Sequence, residues 1–304
     1  MHLGCGDCLR DCPPGLSFCG RKDSSGKLIR EFAFCAALID RLFEKPVNFF
    51  SADIPLLSLG SWGCNFRCRG CQNAALSWTT DGAGLERVDL EPGAVVRMAT
   101  ENGCRGVAFT FNEPAVYLPA VAEVAAECRR AGLVTVLVTN STLSVAAVQR
   151  IAPWINAVAA DIKSFSDRFY CEYCGAEGIS RVAAGVRECI GEFCRAGCHV
   201  EIRTNIIPGG NDDEEDLTAI AEWIQTHLGP RTPWHLTRFF PGHELIALQR
   251  TPTSILLRAQ RIGIASGLKH VHAHYSKGCD CASKTAMIRV DGPGVLRVTR
   301  TCCG

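Results

Sequence analysis

The 304-residue sequence contains no apolar run approaching the roughly 20 residues that a membrane span needs. Its first ten positions, with Cys, Asp and Arg among them, lack the apolar stretch of a signal peptide. The chain is therefore expected in the cytoplasm, away from membranes. An excess of charge of one sign is equally missing, since 32 Lys and Arg stand against 31 Asp and Glu for a net charge of +1. That balance removes the bulk electrostatic case for nucleic acid or an acidic surface and leaves only a local basic patch. There is no internal repeat, no low-complexity tract and no dinucleotide fingerprint, because Gly-Ala-Gly at 82–84 lacks a preceding strand. A nicotinamide enzyme is not indicated. With 47% apolar and 21% charged residues, disorder and fibrous repeats are excluded as well, and a sizeable core is within reach.

Cysteine is the opposite case, with 19 in the chain. A chain of this length needs no disulfide framework to hold a core, and a reducing compartment disfavours one, so metal or cluster ligation is the better use. Cys5, Cys8, Cys12 and Cys19 form C-x2-C-x3-C-x6-C near the start, interleaved with Gly and Pro that let a loop wrap a metal. Four thiolates suit zinc or a second 4Fe-4S cluster equally well, so this group is expected to hold one closed metal centre of either kind. Cys279, Cys281, Cys302 and Cys303 occupy the tail as a less regular candidate metal site. Cys171 and Cys174 make a further C-x2-C without a second pair nearby. Cys35, Cys104, Cys128, Cys189, Cys194 and Cys198 read as buried or incidental thiols, since free Cys behaves as a small hydrophobe.

Between residue 56 and the tail, short β-branched or apolar runs alternate with longer stretches of helical period, which predicts βα units around a parallel sheet. Six strands are predicted, at 56–59, 106–111, 133–139, 157–162, 199–207 and 235–239. Helices are predicted at 115–130, 144–151, 182–195, 213–227 and 254–266, with Gly132, Gly197, Gly229 and Gly267 as helix stops. The acidic run Asp213, Glu214, Glu215 and Asp216 sits at a helix start, where it complements the macrodipole. The fold class is thus α/β, an open sheet or a partial (βα)6 barrel of the TIM type, with chemistry expected beyond the C-terminal ends of the strands. The expected organisation is a Cys-rich N-terminal extension over 1–50, the barrel over 51–275 and a Cys-containing tail over 276–304.

The segment GSWGCNFRCRGCQN, residues 60–73, puts Cys64, Cys68 and Cys71 in C-x3-C-x2-C spacing on one loop directly after the first predicted strand. Thiolates are soft ligands suited to iron-sulfur clusters. Three protein ligands on a four-iron cluster leave one iron open, whereas a structural site is normally closed by four. The alternatives are a zinc site with a distant fourth ligand, or three buried thiols.

In these features the sequence resembles the radical S-adenosylmethionine superfamily, whose signature is C-x3-C-x2-C after the first strand of a partial (βα)6 barrel. Within it the chain is similar to the AmmeMemoRadiSam-type proteins, relatives of the pyruvate formate-lyase activating enzyme. The resemblance covers nearly the whole chain, through FCGRK, EKPVNFF, the triplet segment, TFNEP, VTNS, DIKSF, EIRTNIIPGGND, HLTRFFPGHE and GLKHV in that order. It implies a 4Fe-4S cluster on Cys64, Cys68 and Cys71, with S-adenosylmethionine chelated to the open iron through its amino and carboxylate groups. A reducing electron donor such as flavodoxin or ferredoxin and an unidentified small-molecule or protein substrate follow from the same resemblance. The cofactors would supply a 5'-deoxyadenosyl radical that takes hydrogen from the substrate.

By the same resemblance, Asn112 and Glu113 at the end of strand two hold the methionyl amino group, and Thr139 and Asn140 end strand three within reach of the cofactor. Asp161 and Lys163 end strand four near it, and Arg203 on strand five meets ribose or carboxylate. Plainer readings stand beside these: strand-end turns at Glu113 and Asn140, a local ion pair at Lys163, and Glu201 as the partner of Arg203. His235 and Arg238 on strand six are expected on the substrate side. Superfamily members carry an aromatic residue just before the third cysteine, where this chain has Gly70, so Phe66 or another aromatic is expected to compensate. Two other functions compete, a glycyl-radical-enzyme activase and, of a different class, a non-catalytic zinc or iron-sulfur scaffold.

Overall fold

An antiparallel edge strand, β1 (Ala36–Arg41), precedes seven parallel strands: β2 (Pro55–Gly60), β3 (Gly106–Phe109), β4 (Val134–Thr139), β5 (Ala157–Asp161), β6 (His199–Ile206), β7 (Trp234–Arg238) and β8 (Val271–His274). They pair strictly in chain order, and β1 and β8 do not pair with each other, so the sheet forms a partial barrel left open between its two edges. The computed structural model describes residues 6–10, 12, 18–21 and 32–274, with the backbone of two short strands at 287–290 and 296–299. Cys5 and the tail residues Cys279, Cys281, Cys302 and Cys303 lie outside the described residues.

The six strands expected from the sequence are all present, with ends shifted by at most two residues. β1 and β8 are additions. β1 comes from residues assigned to the N-terminal extension and exists through its register on β2, from Ala36 opposite Gly60 to Arg41 opposite Pro55. β8, read as Val-His-Ala-His, shows no apolar run, yet it pairs in parallel with β7. The central strands are buried on both faces, which is why β5 reads as the continuous small apolar run Ala-Val-Ala-Ala.

The helices between strands are α1 (Pro92–Glu101), α2 (Leu118–Arg130), α3 (Val145–Ile151), α4 (Asp167–Cys174), α5 (Val182–Arg195), α6 (Glu214–Trp223) and α7 (Thr253–Ala265). All five expected helices are there; α1 and α4 are additions. The acidic run does start a helix, because Asp213 caps α6 by accepting the Asp216 N–H at 2.8 Å. α6 then continues as a π-helical turn, Ile224–Leu228, before Gly229 turns the chain at φ 97°. No helix of the described residues is long and apolar enough to cross a membrane.

Alternation along the strands divides the core in two. Leu57, Leu59, Val107, Phe109, Val158, Ile202 and Leu236 pack outward against the helices. Leu56, Ala108, Val136, Val138, Ala157 and Ala159 point into the lumen, where Leu42 and Val47 join them. Residues 42–54 link the end of β1 to the start of β2, so this segment plugs the lumen at the end opposite the strand C-termini.

Candidate active site

The cysteine loop leaves the C-terminal end of β2 and ends in the short helical turn Ala74–Ser77. Its neighbours grip it mostly by its backbone. Asn112, just past β3, accepts the Ser61 N–H at Oδ1 (2.9 Å) and donates Nδ2 to the Gly63 carbonyl (2.8 Å). Gly63 adopts φ 79°, and a Cβ there would stand 2.3 Å from the Cys19 carbonyl oxygen, so only glycine fits. The far side of the loop runs along the last turn of α4, where Arg67 N–H donates to the Cys174 carbonyl (2.8 Å) and Arg69 N–H to that of Tyr173 (2.9 Å). Arg67 Nη1 also donates to the Cys64 carbonyl (2.8 Å) and Nη2 to that of Phe18 (2.7 Å). Arg10 Nε donates to the Asn65 carbonyl (3.0 Å) and Nη2 to that of Gly175 (2.7 Å). The segment bearing Cys8, Cys12 and Cys19 thus lies against the loop.

Cys64 is buried, and Cys68 and Cys71 are half-buried. Cys64 Sγ accepts the Phe66 N–H at 3.4 Å and lies 3.9 Å from Asn140 Nδ2. Burial, and then Cys68, Glu113 and Cys71 nearby, push the Cys64 thiol well up, because these groups resist carrying negative charge together. Ligation to iron replaces each thiol proton with a bond to a cation and relieves that repulsion, so the donor set fits an iron-sulfur cluster. Among the described residues no three His, Cys, Asp or Glu side chains converge on a single ion. A cluster asks instead for sulfurs spread over separate irons.

Two polar groups flank the loop. In the first, Glu113 is 3% exposed. Its Oε1 accepts Thr139 Oγ1 (2.8 Å) and the Ala115 N–H (3.0 Å), and its Oε2 accepts the Asn140 N–H (2.7 Å). Burial raises this carboxyl to about 7, against the pull of those three bonds. Asn140 Nδ2 donates to Asn65 Oδ1 (2.9 Å), and Asn65 Nδ2 to Thr142 Oγ1 (2.6 Å). Asn112, Thr139 and Asn140 therefore bind the cysteine loop and Glu113 to one another.

In the second group, Asp161 accepts Lys163 Nζ at Oδ2 and Arg203 Nε at Oδ1, both at 2.6 Å. Burial opposes the Asp161 charge, but Arg203 and Lys163 outweigh it and hold the carboxyl below its ordinary range. Burial likewise opposes the Lys163 charge, and Asp161 with the thiols of Cys68 and Cys174 outweighs it. The ion pair expected at Lys163 is present, and Arg203 is its third member. Glu201 is not the partner of Arg203. It turns to His199 and His235, because Asp161 rather than Glu201 stands in register with Arg203 across β5 and β6.

Two features lay beyond sequence reasoning. A Cβ on Gly70 would stand 2.7 Å from Phe239 Cε2, so Phe239, from just past β7, occupies the space next to the third cysteine, while Phe66 is buried against Tyr170 with ring centroids 5.8 Å apart. Cys174 is buried and hydrogen-bonds with Cys68. Its only signal was the C-x2-C of FYCEYCG. Arg238 turns to Thr253, donating Nη2 to its hydroxyl at 2.7 Å.

The family model described as the radical SAM superfamily matches residues 61–224, from the start of the cysteine loop to the end of α6. An uncharacterized protein of Methanocaldococcus jannaschii is 29% identical over 265 residues, spanning 84% of this chain and 75% of that one. The isethionate sulfite-lyase activating enzyme of Nitratidesulfovibrio vulgaris is 36% identical over 97 residues, 31% of this chain and 30% of the enzyme. Among solved structures, Streptococcus suis SuiB bound to S-adenosylmethionine shares the fold with a TM-score of 0.54 at 14% identity, over 74% of this chain and 52% of that one. A family match over more than half its length, opening on the three-cysteine loop at the mouth of a partial barrel, shows that the chain belongs to the radical SAM superfamily.

Proposed function

We propose that this chain reductively cleaves S-adenosylmethionine at a 4Fe-4S cluster held by Cys64, Cys68 and Cys71 and abstracts hydrogen from a substrate in the barrel lumen. The observation that carries the reading is a loop with three cysteines, not four, set at the mouth between the Glu113 and Asp161 groups. When bound, the cluster and S-adenosylmethionine supply the electron transfer and the 5'-deoxyadenosyl radical, the electron coming from a donor such as flavodoxin or ferredoxin. The chain's own residues orient the sulfonium substrate. Three of the roughly four acceptor sites on the Glu113 carboxylate are taken, and one on Oε2 is left for the methionyl ammonium. Arg203 spends Nε on Asp161 and keeps its Nη groups for ribose or carboxylate, and Lys163 adds a second cation there.

Anaerobic reconstitution with iron and sulfide, followed by dithionite, tests this. A reducible cluster and 5'-deoxyadenosine are expected, and the scaffold alternative yields neither. Glu113→Gln should leave cluster content unchanged while weakening S-adenosylmethionine by about 1.5–3 kcal/mol, roughly ten- to a hundred-fold. Because the wild-type carboxyl titrates near 7, only its ionised form pairs with an ammonium, so wild-type affinity should strengthen from pH 6 to pH 8 and the Gln variant should lack that rise. Equal titration curves for the two would return Glu113 to a strand-end turn.

A second reading, glycyl-radical-enzyme activation, is favoured by the 97-residue match to an activating enzyme. It requires a glycyl-radical signal in a partner protein incubated with the reduced, loaded chain.

We also propose that Cys8, Cys12 and Cys19, with Cys5, ligate a separate closed metal centre of structural or electron-transfer use. Support comes from the docking of their segment on the cysteine loop through Arg10 and the Phe18 carbonyl. Replacing Cys5, Cys8, Cys12 and Cys19 together by Ser, which keeps Arg10 and Phe18 on the cysteine loop, should lower metal content and stability while leaving the Cys64, Cys68 and Cys71 cluster able to bind S-adenosylmethionine. Zinc and iron counted separately decide the matter, and equal metal content in the two proteins would show that these cysteines bind none.

A further inference from the structure

The lumen carries a second polar chain away from the cysteine loop. His199, Glu201 and Arg203 of β6, His235 of β7, and His272 and His274 of β8 face inward, since the residues between them, such as Val200, Ile202, Leu236 and Val271, pack outward against the helices. Register fixes their depth. Asp161, Arg203, His235 and His272 stand on one level across β5 to β8, and His274, opposite Thr237, stands nearer the mouth.

Glu201 and His235 are both fully buried, at 0% exposure. Glu201 Oε1 accepts the Phe49 N–H (2.8 Å) and His199 Nε2 (2.8 Å), and Oε2 accepts the Asn48 N–H (3.0 Å) and His235 Nε2 (2.6 Å). Burial alone would raise this carboxyl, but the bonds from His199, His235 and the two plug N–H groups bring it down to about 2, so it is ionised. A carboxylate cannot donate, so both imidazoles carry a proton on Nε2. In neutral His235 the lone pair is then on Nδ1, and His274 Nε2 lies 2.8 Å from it. In the tautomer in which His235 accepts at Nδ1, His274 donates from Nε2 and its own Nδ1 is an acceptor. No described residue bonds to that nitrogen, which belongs to a half-buried, inward-facing side chain.

We propose that Glu201, His235 and His274 form a proton relay through which His274 takes a proton from a substrate bearing an O–H or N–H on the carbon that loses its hydrogen atom. Loss of the hydrogen atom makes such an O–H or N–H far more acidic, so a proton acceptor in the lumen serves this class of substrate. In the step, the substrate X–H bond breaks and leaves its electron pair on X, and an N–H bond forms at His274 Nδ1. The His274 Nε2–H bond breaks as a new N–H forms at His235 Nδ1. No electron is gained or lost. The positive charge ends on His235 beside Glu201, not on His274, where burial and the neighbouring His235, His272 and Arg203 disfavour it. His274 is the residue that touches substrate; His235 and Glu201 are positioning residues that set its tautomer.

The inference rests on the preceding reading only in taking the lumen as the substrate chamber. Its test uses diethyl pyrocarbonate, which acylates imidazole at a reachable unprotonated nitrogen, on the full cluster-free chain with mass-spectrometric mapping. His274 should be acylated and His235 spared. The His274 rate should fall roughly tenfold in Glu201→Gln, which removes the anion, and in His235→Phe, which cuts the relay and leaves Glu201 bound to Asn48, Phe49 and His199. An unmodified His274, or a rate unchanged in His235→Phe, overturns the relay. The probe needs neither iron nor S-adenosylmethionine, so this outcome is separate from a failure to form 5'-deoxyadenosine, which would overturn the radical reading instead.

Discussion

Replacing Cys64, Cys68 and Cys71 together by Ala is expected to remove one cluster's worth of iron and all dithionite-dependent formation of 5'-deoxyadenosine. The loss should be complete because, on the proposed reading, only this loop leaves an iron open for S-adenosylmethionine, whereas the neighbouring Cys8, Cys12 and Cys19 belong with Cys5 to a closed centre. It should also be clean. The path of the loop is held by Asn112, Arg10, Arg67 and the last turn of α4, all through the loop backbone, and none of those bonds uses a cysteine sulfur. Far-UV circular dichroism of the triple variant should therefore match the wild type, so that lost iron reports lost ligands and not lost fold. Iron bound elsewhere would remain, which makes the difference between the proteins, rather than the absolute content, the quantity to measure. Retained 5'-deoxyadenosine formation would exclude the assignment.

The place of the three-cysteine loop after β2 was legible because the motif is a matter of local spacing, and β2 to β7 because a strand buried on both faces needs an apolar run that stands out from its flanks. β1 and β8 were not, since each owes its place to one neighbouring strand rather than to its own composition. Parity correctly put Arg203 and Glu201 on the same inward face of β6, and the pairing then failed for want of register. Only the alignment of β5 with β6 brings Asp161 opposite Arg203 and leaves Glu201 deeper, where the plug and His235 claim it. The side chain that fills the space beside Gly70 is likewise a long-range matter, because Phe239 reaches it from the end of β7. Strand-end polar residues could be listed from sequence, yet the division of labour among them could not. Asn112 spends both amide atoms on the cysteine loop, whereas its chain neighbour Glu113 keeps an acceptor site open.

Asp161→Ala should cost about 3 kcal/mol of stability at neutral pH, because it leaves Lys163 and Arg203 without their shared counter-ion in the barrel mouth. The side chains of Lys163 and Arg203 are 20% and 26% exposed, so water reaches both cations and the effect belongs at the low end of what breaking a buried ion pair costs. Its pH dependence has a definite sign. The native Asp161 carboxyl lies below its ordinary 3.8, so the stability it contributes is fully present above that value and disappears as pH falls through the native one. The gap between wild type and variant in urea unfolding should accordingly be constant from neutral pH down to about 4 and shrink only below it. S-adenosylmethionine adds a second readout. If Lys163 and Arg203 receive the methionyl carboxylate, that ligand carboxylate substitutes for the missing Asp161, and the ligand should raise the melting temperature of the reconstituted variant more than that of the wild type. Equal stabilisation of the two proteins would place the carboxylate away from this pair of cations, and equal stability without ligand would mean that solvent already satisfies them.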